Sequence, residues 1–310
     1  EDVRLDRELI GHDVTATLAH VRGLERLGLI GAEESLAIER ALSELRELIG
    51  RGAFELDDRY EDGHSAIEAF LVERLGETGK RVHLGRSRND QVLVATRLYT
   101  IEALGRLAGQ SLDGARAALR MARAHAMDPM PGYTHLQRAT PSSVGLWMGS
   151  YVEGFCDAAA LLHATCAWLN ASPLGTAAGY GVNIPLDRTG VAQELGFDRL
   201  LLNPMHAQAS RGAHDVQALG AAWVLEGLTL HTDRMRESIG PGMYATDRAV
   251  DLAAGGMAFR DAYREVKASL DGLGEGDPDE SLRARVSPGG CGALGLEELE
   301  ARIESLAGGA

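Results

Sequence analysis

The sequence predicts an all-α protein built on a central bundle of long helices, with smaller helical units before and after it. Three observations carry that expectation. All nine prolines lie beyond residue 128 and fall mostly at segment joints, which leaves long stretches where helices are permitted. From Val94 onward, Val94, Leu98, Ile101, Ala108, Leu112, Ala115, Leu119 and Ala122 recur at intervals of three, four or seven, with Arg97, Glu102, Arg106 and Asp113 between them. That is the near-heptad seam of a bundle helix. Strand-like alternation is nearly absent.

Taken in order, residues 1–89 read as an amino-terminal helical domain, 90–230 as the central bundle and 231–310 as a carboxy-terminal helical domain. The first long helix is expected from about Asp90 to about Ala126, roughly 50 Å at 1.5 Å per residue, with alanines and glycines that permit close approach. A second is expected from Thr140-Pro141, threonine capping and proline at the first position, to about Ala171. Ser172 to Arg188 (SPLGTAAGYGVNIPLDR) is rich in glycine and small residues and reads as an irregular loop or short hairpin, a natural place for a binding site. The segments from Tyr244 and Ala258 read as further helices, with an acidic, glycine-rich linker near Asp271 to Glu280.

Composition narrows the function. The 45 acidic against 31 basic residues give a formal net charge of minus 14, which disfavours nucleic acid or an anionic membrane as the main partner. No apolar run approaches the roughly 18 residues needed to span a bilayer, and no leader pattern opens the chain, so a cytoplasmic location is expected. Cys156, Cys166 and Cys291 lack metal-ligand spacing and read as ordinary thiols.

Three polar blocks are candidates for chemistry. In Asp62-Gly63-His64-Ser65-Ala66-Ile67-Glu68, Ser65 and Glu68 have capping-box spacing, while His64 and Glu68 share a helix face and could orient a site residue. In Gly85-Arg86-Ser87-Arg88-Asn89-Asp90-Gln91, a cap accounts for Ser87 and Asp90 but not for Arg86, Arg88 and Asn89. Arginines at a helix amino terminus suit a ligand with planar carboxylates. The third block, Met130 to Gln137, reads as a tight loop between the long helices; its His135 is either a packing histidine or a group held for proton transfer.

In conjunction the blocks say more. The GRSRNDQ string, the GYTHLQ string followed by a proline-started helix, and the SPLG…PLDR loop stand in the order typical of argininosuccinate lyases and the related delta-crystallins. LDRELIGHDV at Leu5 to Val14 and YATDRAVDLA…FRDAY at Tyr244 to Tyr263 also resemble that family's ends, so the resemblance covers nearly the whole chain. It implies a fumarase/aspartase-type bundle that eliminates fumarate from argininosuccinate to leave arginine. It implies a catalytic set of His135, Thr134, Ser87 and Asn89, and a substrate-binding set of Arg88, Gln137, Arg188, Asp62, His64 and Asp6. It also implies a homotetramer whose sites draw on different subunits, without metal or organic cofactor. A catalytically silent, crystallin-like homologue and a lyase for another succinyl-linked amine remain as alternatives.

One family signature has no counterpart in the 310 residues: a loop with paired serines, followed by a Met-Pro-x-Lys-x-Asn-Pro run and a tyrosine, glutamine and lysine motif. Between Arg211-Gly212-Ala213-His214-Asp215 and Leu225-Glu226-Gly227-Leu228 the chain skips that block. The sequence reads either as a longer chain with a block left out or as a true deletion. The first is favoured, because a bundle stripped of inner helices would expose too large an apolar face.

Overall fold

A computed structural model describes residues 2–182, 184–209, 232–254, 257, 259–274, 276–284 and 291–308. The skipped-block junction expected between Arg211 and Leu228 lies outside the described residues. Contacts divide the chain into two units, Glu1–Arg106 with Leu162–Ala222, and Leu107–Leu161 with Trp223–Ala310, a division that runs through the long helices.

The first unit opens with α1 (Asp2–Arg26), α2 (Ala32–Gly50) and α3 (Gly63–Leu75). Ile10, Val14, Val21 and Leu24 of α1 follow helical spacing and bury against Ile38, Leu42 and Leu45 of α2 and Ile67, Phe70 and Leu71 of α3. Other α1 positions, Ala16 and Ala19, pack with Val94, Leu174, Val191 and Phe197, so α1 is covered on two sides. Val94 belongs to the longest helix, α5 (Arg88–Ala124), which follows a one-turn α4 (Glu77–Lys80). Of the expected seam, Val94, Ala108, Leu112, Ala115, Leu119 and Ala122 are buried and Leu98 and Ile101 partly so, while Arg97 between them is buried as well. In this unit the chain also forms the two-residue strands β3 (Ala171–Ser172) and β4 (Arg199–Leu200), paired in parallel, with α7 (Arg188–Glu194) between them and α8 (Pro204–Ala209) after.

In the second unit, Leu112, Ala115 and Leu119 of α5 pack on Val152, Cys156 and Ala159 of α6 (Val144–Leu169) and on Ile303 of the last described helix (Leu296–Ala307). Gly114 sits against the Phe155 ring, which a Cβ would meet at 3.1 Å, so here a glycine does permit close helix approach. The helices expected in the tail are present at Ala245–Ala254 and Phe259–Ala268.

The segment joining α5 to α6 corrects two expectations. It is an antiparallel hairpin of β1 (Pro129–Thr134) and β2 (Gln137–Ser143), not a plain loop. Thr140 and Pro141 therefore lie in a strand, and α6 starts at Val144, where the Ser143 hydroxyl accepts from the Leu146 N–H at 3.0 Å. Serine is the cap and threonine is not. Pro131 pairs across from Pro141, which a two-stranded ribbon tolerates because each strand has an outer edge that needs no donor. The first free amides of α6 are met by the turn that follows α5: Val144 N–H donates to the Asp128 carbonyl and Gly145 N–H to that of His125, each at 2.9 Å. Gly145 is required there, since a Cβ would lie 2.6 Å from Ala126 Cα.

Candidate active site

The helix-start block is organised by backbone accounting before it can bind anything. Ser87 precedes the first turn of α5; its hydroxyl accepts from the Asn89 N–H at 3.3 Å, and its own N–H donates to Asp90 Oδ1 at 2.9 Å. Asp90 is wholly buried and does more than close this cap. Its Oδ2 accepts from the N–H groups of Gly175 and Ala177, each at 2.9 Å. Residues 173–177 of the glycine-rich segment are all buried, and a buried irregular segment needs such an acceptor. Burial raises the Asp90 pKa above the carboxylate norm, against the pull of those three amides and of Arg86.

Of the two arginines, Arg88 is the accessible one. It pairs with Glu61 at 2.6 Å and Asp62 at 3.5 Å. Arg86 is buried, donates to the Thr17 hydroxyl at 2.9 Å and leaves its Nε without a partner. Burial lowers its pKa, opposed by Asp13, Asp90 and Glu68.

The first polar block corrects a further expectation, because Asp62 and not Ser65 caps α3. Asp62 Oδ1 accepts from the Ser65 N–H at 2.7 Å, and the Ser65 hydroxyl accepts in return from the Asp62 N–H at 3.0 Å. Asp6 joins them, its Oδ2 accepting from the Gly63 N–H at 2.8 Å. Two carboxylates thus satisfy the amino terminus of α3, where the helix dipole favours negative charge. His64 projects from the same turn with Nδ1 2.5 Å from Asp13 Oδ2. Arg188 is committed to the backbone, donating from Nε to the Leu174 carbonyl at 3.0 Å and from Nη2 to that of Leu201 at 2.8 Å.

Thr134, His135 and Gln137 sit together on the second unit's hairpin. Thr134 pairs with Gln137, so His135 and Leu136 form a two-residue turn with φ of 50° and 61°. Positive φ at both positions is the signature of a type I′ turn, which favours asparagine and glycine; histidine and leucine there are strained. Leu136 is 99% exposed and residues 133–138 are all exposed. The fold thus presents His135 at the tip of a short, strained ribbon.

Sequence reasoning missed two groups that organise this region, Asp13 and His20. His20 is buried, with Nε2 2.9 Å from the Leu84 carbonyl, just before the arginine block. A carbonyl only accepts, so Nε2 carries the proton. Burial, with Arg86 adding to it, pushes the His20 pKa down to about 3. The unfolded chain protonates near the ordinary value, so this contribution to stability is complete above it and is lost as pH falls from 6.5 toward 3. His20→Gln keeps an amide donor for Leu84 but does not titrate. Urea unfolding between about pH 6 and pH 4 should therefore show the wild type losing more stability than the variant, and equal losses would refute it.

By family, the all-helical chain built on the long helices α5 and α6 is a lyase. A family model described as Lyase matches residues 1–228. The argininosuccinate lyase of Sorangium cellulosum is 40% identical, with 98% of this chain and 94% of that protein covered, and that of Stenotrophomonas maltophilia is 38% identical, with 99% and 94% covered. The chain belongs to this lyase family, among the argininosuccinate lyases. The Sorangium alignment runs over 404 residues against the 310 of this chain, so a sizeable block of that relative has no counterpart here. In fold, the chain is similar to EDDS lyase in complex with formate (TM-score 0.73, 18% identity, 98% and 86% covered). It is also similar to the fumarate lyase from Mesorhizobium sp. BNC1 (TM-score 0.63, 19% identity, 97% and 95% covered).

Proposed function

We propose that the protein cleaves argininosuccinate to fumarate and arginine, as the names of its relatives suggest. The observation that carries this reading is the start of α5, where Ser87, Arg88 and Asn89 cluster on one helix amino terminus. In the elimination, a base takes a proton from the carbon beside a carboxylate. The electron pair moves into that carboxylate, and then expels the guanidinium nitrogen from the neighbouring carbon as the double bond forms. The barrier is the doubly charged intermediate, so arginine, amide and hydroxyl donors must face it. Ser87, Arg88, Asn89 and Thr134 are assigned to the carboxylates, with Gln137, Asp62, His64, Asp6 and Arg188 beside or behind them. His135 is assigned acid/base work. The assembly is a cytoplasmic homotetramer, which would supply a partner surface to the exposed hairpin.

The expected carbon base lies in the serine loop that these 310 residues lack, which favours a second reading: a silent, crystallin-like homologue. Incubation of the intact oligomer with argininosuccinate, followed by fumarate absorbance, separates the two. Fumarate and arginine released in equal amounts support the lyase; no release from a folded oligomer favours the silent protein. A panel of other succinyl-linked amines separates the third alternative.

A further inference from the structure

A buried polar chain in the first unit links three segments that are distant in sequence. Arg86 Nη1 donates to Thr17 Oγ1 at 2.9 Å, Thr17 Oγ1 donates to Asp13 Oδ1 at 3.5 Å, and Asp13 Oδ2 accepts from His64 Nδ1 at 2.5 Å. Asp13 and Thr17 come from α1, His64 from the first turn of α3 and Arg86 from the turn before α5. Asp13, Thr17 and Arg86 are 2%, 1% and 8% exposed. Stability alone is a poor reason for such a chain, because desolvating charges offsets most of what their pairing returns and apolar residues of like volume do as well. Two polar atoms near it, Arg86 Nε and Gln91 Oε1, have no partner, and both residues line one pocket with His64, Ser65, Glu68 and Arg88.

We propose that Asp13 is a positioning residue for carboxylate binding: by accepting from Nδ1 it turns His64 Nε2–H toward the pocket lined by Arg86 and Arg88. This deepens the lyase reading and rests on it for the identity of the carboxylate. With Nδ1 committed to a carboxylate, the tautomer is decided and Nε2 is the edge left to act, as with histidines oriented by a partner elsewhere. Burial by itself would lower the His64 pKa, yet the hydrogen bond and charge of Asp13, with Asp62 behind, raise it above the imidazole norm. The charged groups around the ring are Asp13 and Asp6 from α1, and Asp62 and Glu68 from the start and first turns of α3. Arg86, Arg88 and His83 face it from the segment leading into α5. The pocket's own lining sets Arg86, Arg88 and protonated His64 against Glu68, and His64 is the cation among them that can be discharged. His64 is positive below its raised pKa, so carboxylate binding weakens as pH rises through that value. Removing the charge of Asp13 moves this loss to lower pH.

The test is Asp13→Asn, which keeps shape and an oxygen acceptor but not the charge, beside Asp13→Ala, which keeps neither. At about pH 7.5, KM for argininosuccinate is expected to rise about tenfold in Asp13→Asn, the equivalent of one pKa unit, with kcat changed less. The rise of KM with pH should also begin earlier than in the wild type. Nitrogen NMR of histidine-labelled protein, with His64 assigned through His64→Gln, should show a lower titration midpoint for His64 in Asp13→Asn. Should Asp13→Ala fail to fold, the isosteric Asp13→Asn carries the test. An unchanged KM profile together with an unchanged His64 titration overturns the proposal. If the wild type releases no fumarate, the lyase reading alone fails. The His64 titration, with calorimetric binding of fumarate to wild type and Asp13→Asn, then decides the role of Asp13.

Discussion

Replacing His135 with asparagine is expected to lower argininosuccinate turnover by about two to four orders of magnitude, the usual contribution of a positioned acid/base group, while leaving fold and assembly intact. The expectation of an intact fold comes from the backbone. His135 has φ of 50° at the tip of an exposed turn, and asparagine is among the few residues that accept this conformation readily. The side chain is exposed, so no core contact is lost. Loss of activity would therefore report on the imidazole and not on the hairpin. Steady-state kinetics, with circular dichroism and sedimentation on the same samples, makes the comparison. Unchanged turnover would remove His135 from the mechanism.

The largest effect on stability is expected from Asp90→Ala, about 3–5 kcal/mol, the cost of stranding buried groups that had shared one charged acceptor. Three amides lose their acceptor at once, those of Ser87, Gly175 and Ala177. Asp90→Asn should do little better, since its amide nitrogen would face donors. Urea unfolding measures both. A loss in Asp90→Ala below about 1 kcal/mol, the scale of a single hydrogen bond, would mean that water reaches these amides and that Asp90 is not what holds the segment.

Both predictions turn on residues whose importance was only partly legible. The GRSRNDQ block was visible as a helix start, and Ser87 with Asp90 as a cap; that half is correct, because capping relates residues three apart in the chain. The second half of Asp90, its reach to Gly175 and Ala177, spans more than eighty positions and leaves no local pattern. Asp6 shows the same limit in accepting from Gly63, and Asp13 in accepting from His64. Arg188, which the resemblance places near the substrate, also ties together the carbonyls of Leu174 and Leu201, a role that no local pattern announces.

The hairpin escaped for a different reason. Its turn residues, His135 and Leu136, are not those that a two-residue turn selects, and its strands carry prolines that normally argue against pairing. Proline at position 141 after a threonine looks locally like the start of a helix, and only the pairing with Pro131 shows otherwise.

By itself, then, the sequence determined the all-helical class, the buried seam of α5 and the family to which the chain belongs. Each is written in periodicity or in short contiguous strings. What the tertiary structure decided was the ribbon that carries His135 and the distant partners of Asp13, Arg86 and Asp90. Seams and caps depend on neighbours within about one helical turn, whereas a buried polar group must be satisfied by whatever the fold brings beside it, however far along the chain that partner lies.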